Sequence, residues 1–465
     1  MKRRNLAVCP AFCLALALSL ALAAAPHRAA AQDASKDAAQ ARERTRQALL
    51  YGIDSEVLDI VQRLKGTGES SFADELATIL SENRGAEVRR TILELFADRK
   101  GREGAEAASA ILRAWQDEAS DVVVAAVAYL SAIAADGRAS LLLPLAESPV
   151  AAVAGASIRA LGKAGDPAAV DPLLKMLARP DVGETAKSDI VLALGDLGDR
   201  RAVPVLLAIA KNRDENKVRR MYAADSLGSL GDPVALPALR EMFAEKDALL
   251  RAYAASALAH FDIEEAFPLL LAGLKDENWR VRAECAKALA RPMPDARLAQ
   301  ALPVLSYKAE LDPTPQVKME AIRALGAIGG EKARAFLVGL YRERKNALAV
   351  REESLAILAR TSLDASGALP SCIEAVRAVV AEEWKAVDQR VLEMTARVIS
   401  AATGPEVRDV LLRFVESANP VVRIYGVRGI AGNRFADLRD KIRQVSEKDP
   451  HPAVQREAAK ALEKM

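Results

Sequence analysis

Aromatic side chains make up only 4% of this 465-residue chain, although hydrophobic residues reach 51%. A core so poor in rings has to be closed by Ala, Leu and Val. Ala and Leu lose little rotamer freedom in a helix, whereas a sheet would call for far more Ile, Thr, Tyr and Phe. Histidine occurs three times and cysteine four times. His27 lies near the start, His260 is followed by Phe261 and His451 by Pro452, so no His-Glu metal pair can be written. The chain also has no HExxH, no paired CxxC, no GxSxG and no Gly-rich loop running into Lys. The expectation is a protein with no catalytic residues, no metal and no cofactor. Charge of one sign is missing too: 65 Lys and Arg face 63 Asp and Glu, a net +2. Such a balance leaves no electrostatic footprint for nucleic acid.

The first residues stand apart. "MKRRN" is basic, "LAVCPAFCLALALSLALAAA" is apolar, and "AAA" at Ala29 to Ala31 is a small-residue exit. This is the three-part layout of a secretory signal peptide. Between Pro10 and Pro26 only 15 apolar residues run uninterrupted, fewer than the ~18–20 that span a bilayer. Cleavage near Ala31 is expected, giving a periplasmic or secreted protein that does not span the membrane. It would remove Lys2, Arg3, Arg4 and Arg28 and no acid, taking the net charge from +2 to −2. Cys285 and Cys372 would remain, and both sit in helical apolar patterns, which predicts two buried free thiols. Residues 32–54 read as an N-terminal cap segment, and 55–465 as a repeat array.

What the chain has in abundance is repetition. "ALGKAGDPAAVDPLLKML", "ALGDLGDRRAVPVLLAIA" and "SLGSLGDPVALPALREMF" follow one another at 33-residue intervals. Anchors aligned on the Leu of "ALG" are Leu64, Ala97, Leu130, Leu161, Leu194, Leu227, Leu258, Leu289, Leu325, Leu358, Ile399, Ile430 and Leu462. A period in this range marks a stacked array. In the unit 218–246, Val218, Ala224, Leu227 and Leu230 fall at helical spacing. Gly231 supplies a left-handed stop, Asp232 a cap and Pro233 a first-turn residue. Each unit therefore reads as two antiparallel helices that hide their apolar stripes only by stacking on the next unit. Pro172, Pro204, Pro237 and Pro268 recur in the second helix, where they predict a regular bend and a concave surface. Two intervals are longer, 36 residues near 291–316 and 41 near 361–390, and read as longer helices and loops.

The pattern "VR..AA.SLGSLGDP.ALPAL" resembles HEAT repeats, and among them the HEAT-like type of phycobilisome lyases. The resemblance covers roughly residues 55–465. It implies an all-α fold, an α-α superhelix or HEAT-like solenoid of about 12–13 helical-hairpin repeats. It also implies a structural ladder, because such repeats place an Asp six residues before a base and pair acid and base between neighbouring units. The matching positions here are Asp181 and Lys187, Asp214 and Arg220, Asp276 and Arg282, and Asp312 and Lys318. Bases at the same register, seven residues before the anchor, continue with Arg90, Arg251, Arg351 and Arg423. They are expected to bond the Asp six earlier and nearby loop carbonyls rather than to form a cationic stripe.

Slots five and two before the anchor face away from the core. In later repeats they carry surface pairs, Glu284 with Lys287, Glu320 with Arg323 and Glu457 with Lys460. Two central repeats instead carry Tyr222 and Tyr253, with Met221 beside the first and Trp279 nearby. Aromatics and Met on an otherwise charged surface favour partner contacts. The expected function is an exported scaffold or adaptor binding another protein through Met221, Tyr222, Tyr253 and Trp279. The alternative is an enzyme or enzyme subunit resembling phycobilin lyases that holds a small molecule on the concave face.

Overall fold

The computed structural model describes residues 39–465 except 68–70, 83, 136, 362–367 and 387, so the leader expected at 1–31 lies outside the described residues. Among them all regular structure is helical, as the Ala- and Leu-rich composition requires. The chain divides into two compact units after Asp199.

In the first unit the helices are α1 (39–51), α2 (Asp54–Thr67), α3 (Ala73–Ser81), α4 (Ala86–Arg99) and α5 (Ala105–Arg113). They continue with α6 (Ser120–Ala132), α7 (Arg138–Ala146), α8 (Ala151–Ala164), α9 (Val170–Ala178) and α10 (Glu184–Asp196). The second unit opens with α11 (Val203–Lys211), α12 (Lys217–Leu230), α13 (Leu236–Phe243), α14 (Ala248–Leu258) and α15 (Ile263–Gly273). Then come α16 (Trp279–Ala288), α17 (Asp295–Leu311), α18 (Pro315–Ile328), α19 (Gly330–Arg342), α20 (Leu348–Thr361) and α21 (Ala368–Glu383). It closes with α22 (Arg390–Ile399), α23 (Arg408–Val415), α24 (Pro420–Asn433), α25 (Arg439–Lys448) and α26 (Pro452–Lys464). Within each unit the even-numbered helices lie side by side in a close-packed row. From α3 onward each odd-numbered helix packs on the even-numbered one after it. This is the all-α, α-α superhelix class that the period predicts.

Hairpin boundaries differ from the sequence reading. The turn after α12 is as expected: Gly231 has φ 60° and the Asp232 carboxylate accepts the Val234 amide at 3.1 Å. But α13 packs on α14 rather than on α12. A 3-10 turn, Pro233–Ala235, intervenes and advances the chain by about 6 Å, so the tight turn joins two layers instead of closing one. The same turn corrects the prolines. Pro204 and Pro237 occupy the first turn of α11 and α13, where the missing N–H costs nothing, and Pro172 is the third residue of α9. Of the four, Pro268 alone lies inside its helix, so a bend at every repeat does not follow. The long intervals hold long helices: α17 has 17 residues and α21 has 16.

The anchors Leu64, Leu130, Leu161, Leu194, Leu227, Leu258, Leu289, Leu325, Leu358, Ile399 and Ile430 are buried, while Ala97 and Leu462 are half-buried. Between anchors the row is spaced by small residues. A Cβ added to Gly228 would stand 2.8 Å from the Ala257 Cα, so glycine here lets α12 and α14 touch backbone to backbone. Cys285 and Cys372 are buried free thiols; burial raises both, the Cys372 thiol to about 12.

Ion pairs do cross between repeats, but not in the predicted register. Arg251 forks onto Asp276 at 2.8 and 2.9 Å, Arg282 onto Asp312 at 2.8 and 2.9 Å, and Arg423 onto Asp449 at 2.8 Å twice. Arg220 bonds Glu245 and the Ala210 carbonyl instead of Asp214. Asp181 takes Arg179, not Lys187, and Lys318 donates to the Glu310 carbonyl at 2.8 Å rather than to Asp312. Asp276, six residues before Arg282, gives that Arg its backbone carbonyl at 2.9 Å. The reason is local. Each of these carboxylates folds back to accept the amide two residues on, Asn278 at 2.8 Å, Thr314 at 3.0 Å and His451 at 2.9 Å. Its remaining lone pairs then meet the base of the preceding layer. Glu457 likewise reaches back to Arg428 at 2.8 Å rather than to Lys460.

Two outcomes follow for stability. Gly228→Ala should cost about 1–3 kcal/mol through overpacking, read from urea unfolding. Asp312 has a fully buried side chain, so Asp312→Asn should cost about 3–5 kcal/mol by leaving Arg282 buried without its anion. Burial alone would raise Asp276, Asp312 and Asp449, but their guanidinium and amide bonds outweigh it and hold all three below the ordinary carboxylate range. Depressed folded values contribute stability above the unfolded value of ~3.9 and lose it as pH falls through them. Tm should thus hold between about pH 7 and 5 and drop below about pH 4, less steeply in Asp312→Asn.

Candidate functional site

The close-packed row of the second unit carries one recess that follows from side-chain size. Six residues before the anchors stand Met221, Ala252 and Ala283; five before stand Tyr222, Tyr253 and Glu284; two before stand Ser256 and Lys287. Stacking α12, α14 and α16 lines these up. The two alanines form a low floor between taller neighbours. Met221, Leu249, Tyr253 and Trp279 wall it, with Ser256, Arg280, Glu284 and Lys287 at the edge, enclosing about 510 Å³. Met221 is buried and Tyr253 and Trp279 are half-buried, so rings and thioether present part of their apolar surface to whatever enters.

The helix starts position this wall. Asn278 caps α16 by accepting the Arg280 amide at 2.9 Å, which fixes Trp279 as the first helical residue. Asp247 caps α14 through the Leu249 and Leu250 amides at 2.8 and 3.3 Å. Lys217 bonds Asp247 at 2.7 Å and, with those amides, holds it below the ordinary carboxylate value. At the edge the Arg280 guanidinium lies 4.8 Å from the Trp279 ring centroid, and Lys287 stands 3.8 Å from Glu284. Burial pushes the Tyr253 hydroxyl above its usual value, with Tyr222, Asp225 and Glu284 adding to the effect.

Met221, Tyr253 and Trp279 are therefore brought to one recess. Tyr222 is not part of its lining and is half-buried. Sequence reasoning missed Leu249, Arg280 and the alanine floor. Leu249 and Arg280 share the slot nine before the anchor, a regularity that could have flagged them. Ala252 and Ala283 look like any core alanine until the neighbouring layers are in place. The arrangement supplies an apolar recess with a mixed-charge edge.

The family described as Spirochaete HEAT repeat protein matches residues 49–461. An uncharacterized phycocyanin operon protein Z of Pseudanabaena tenuis is 31% identical over 166 residues, 35% of this chain and 77% of that protein. Yeast importin-beta shares the fold with a TM-score of 0.55 at 12% identity, over 92% of this chain and 67% of the importin. A mutant of the karyopherin Kap121p aligns at 13% identity with a TM-score of 0.44, and there the chain spans about half the length of its relative, 53%, against 90% of its own.

Proposed function

The chain belongs to the spirochaete HEAT-repeat protein family, and from that premise we propose that it is an exported binding scaffold without catalysis of its own. A protein partner docks an apolar side chain into the recess of Met221, Leu249, Tyr253 and Trp279. The observation that carries this reading is the recess itself: half-buried aromatic walls over a floor of two alanines. Interfaces concentrate energy in such places, where a side chain is fully desolvated against rings. Export rests on the charged, apolar and small-residue order of residues 1–31.

A second reading has one observation in its favour, the likeness to a phycocyanin operon protein. A recess of this size falls in the range of small-molecule sites, and a linear tetrapyrrole could lie across Tyr253 and Trp279. Titrating bilin into the purified protein separates the two, since binding would shift the pigment's absorbance.

Paired substitution Tyr253→Ala with Trp279→Ala should reduce in-cell crosslinking to the native partner by about tenfold or more, with helicity unchanged by circular dichroism. Unaltered crosslinking would remove the recess from the interface. Mass spectrometry of the mature protein should find its first residue near Gln32; a mature chain beginning at Met1 would remove the export claim.

A further inference from the structure

At one slot of the basic ladder the side chain is an alanine, and its space is left open. Arg251, Arg282 and Arg423 fill the slot seven before the anchor in one way. Nη1 donates to the two loop carbonyls six and five residues earlier: Glu245 and Lys246 at 2.9 and 2.8 Å, Asp276 and Glu277 at 2.9 and 3.0 Å, Ser417 and Ala418 at 2.9 Å each. Nε and Nη2 fork onto the acid that stands two residues before the cap of the next even-numbered helix. Three repeats thus build the same four-bond cradle for a guanidinium.

In α8 that slot holds Ala154. Val57, Val123 and Leu392 fill the slot with larger apolar side chains and the remaining slots carry Arg, Lys or Gln, so Ala154 is its smallest occupant. The rest of the cradle is present by register. Ser148 and Pro149 stand six and five residues earlier, and Asp181 stands two residues before Gly183, which caps α10. The Ser148 hydroxyl accepts the Val150 amide at 3.2 Å, as the Ser417 hydroxyl accepts the Asn419 amide at 3.2 Å. In place of an arginine there is a cavity of about 360 Å³ lined by Ser148, Pro149, Ala154 and Asp181, with Met176 also in its lining. Its charges are in part already paired. Arg179 forks onto Asp181 at 3.1 and 2.7 Å and bonds Glu147 at 2.9 Å, and Arg159 bonds Asp189 at 3.0 Å.

We propose that this socket in the first unit receives the side chain of an arginine presented by a partner polypeptide. It completes in trans the cradle that Arg251, Arg282 and Arg423 complete in cis. The planar fork matches two carbonyls on one side and a carboxylate on the other, a geometry that an ammonium cannot span. A carboxylate offers about four lone-pair sites, so Asp181 can accept this fork while keeping Arg179. The methylene stem would lie along Met176 and the Ala154 methyl. The inference is independent of the recess on α12, α14 and α16 and survives if that recess is empty.

The test uses the full chain labelled with 15N-glycine, because Gly155 and Gly183 both line the cavity. Titration with acetyl-Gly-Arg-Gly-amide should shift these two amides saturably. The citrulline counterpart, of nearly the same shape but neutral, should bind about ten- to a hundredfold more weakly, as should the arginine peptide to Asp181→Asn. Ala154→Arg should fill the socket from within, raise Tm and abolish the shift. If that variant does not fold, Ala154→Leu, which occupies the space without charge, should also abolish it. Equal binding of the citrulline peptide, no shift with the arginine peptide, or a shift that persists in a folded Ala154→Arg or Ala154→Leu protein would overturn the proposal. Free L-arginine binding as tightly as the peptide would overturn the partner segment as its source.

Discussion

Everything in this protein rests on the lateral contact between consecutive even-numbered helices. Each helix has an apolar stripe that it cannot cover by itself, and the neighbouring layer is the nearest apolar surface on offer. Ala and Gly at the contact let the backbones approach closely enough for dispersion to count, as Gly228 against Ala257 shows. The scarcity of rings belongs to the same constraint: a row spaced by methyl groups has little room for Phe or Trp. In the first unit Phe96 and Tyr129 stack inside the row, with centroids 5.6 Å apart, whereas in the second Tyr253 and Trp279 are half-buried and wall a recess.

The buried guanidiniums add direction to that contact. A buried ion pair is poor evidence of net stabilisation, since desolvation offsets most of the attraction. Its use here is registry. Arg251, Arg282 and Arg423 each tie the loop of their own layer to the acid of the next, so a slipped layer would strand both a cation and an anion. Because those three rungs have the same parts, a slot lacking one part is interpretable: at Ala154 the carbonyl-bearing loop and the acid keep the same register, though Asp181 is exposed and already holds Arg179.

Both local features and their limits can be traced to particular residues. Asp232 was recognisable as a cap, since a cap is decided by the two or three amides that follow it; Asn278 and Asp247 cap in the same way. Tyr253 was recognisable as unusual because its slot carries Glu284, Glu320 and Glu457 in later repeats, and Trp279 because rings are scarce in this chain. That Tyr222 would be left outside the recess was not legible, nor that Leu249 would join it. Membership depends on how three helices are rotated against each other, and no single helix encodes that angle.

The period, the helical class, the anchors, the glycine stops and the capping residues were determined by the sequence alone, because each is settled within one or two helical turns. The partner of each arginine, the hairpin to which α13 belongs and the two cavities were decided only by the tertiary structure. Those features join residues some 25–30 positions apart. Over that distance the 3-10 turns and the angle between layers, rather than helical periodicity, set which side chains meet.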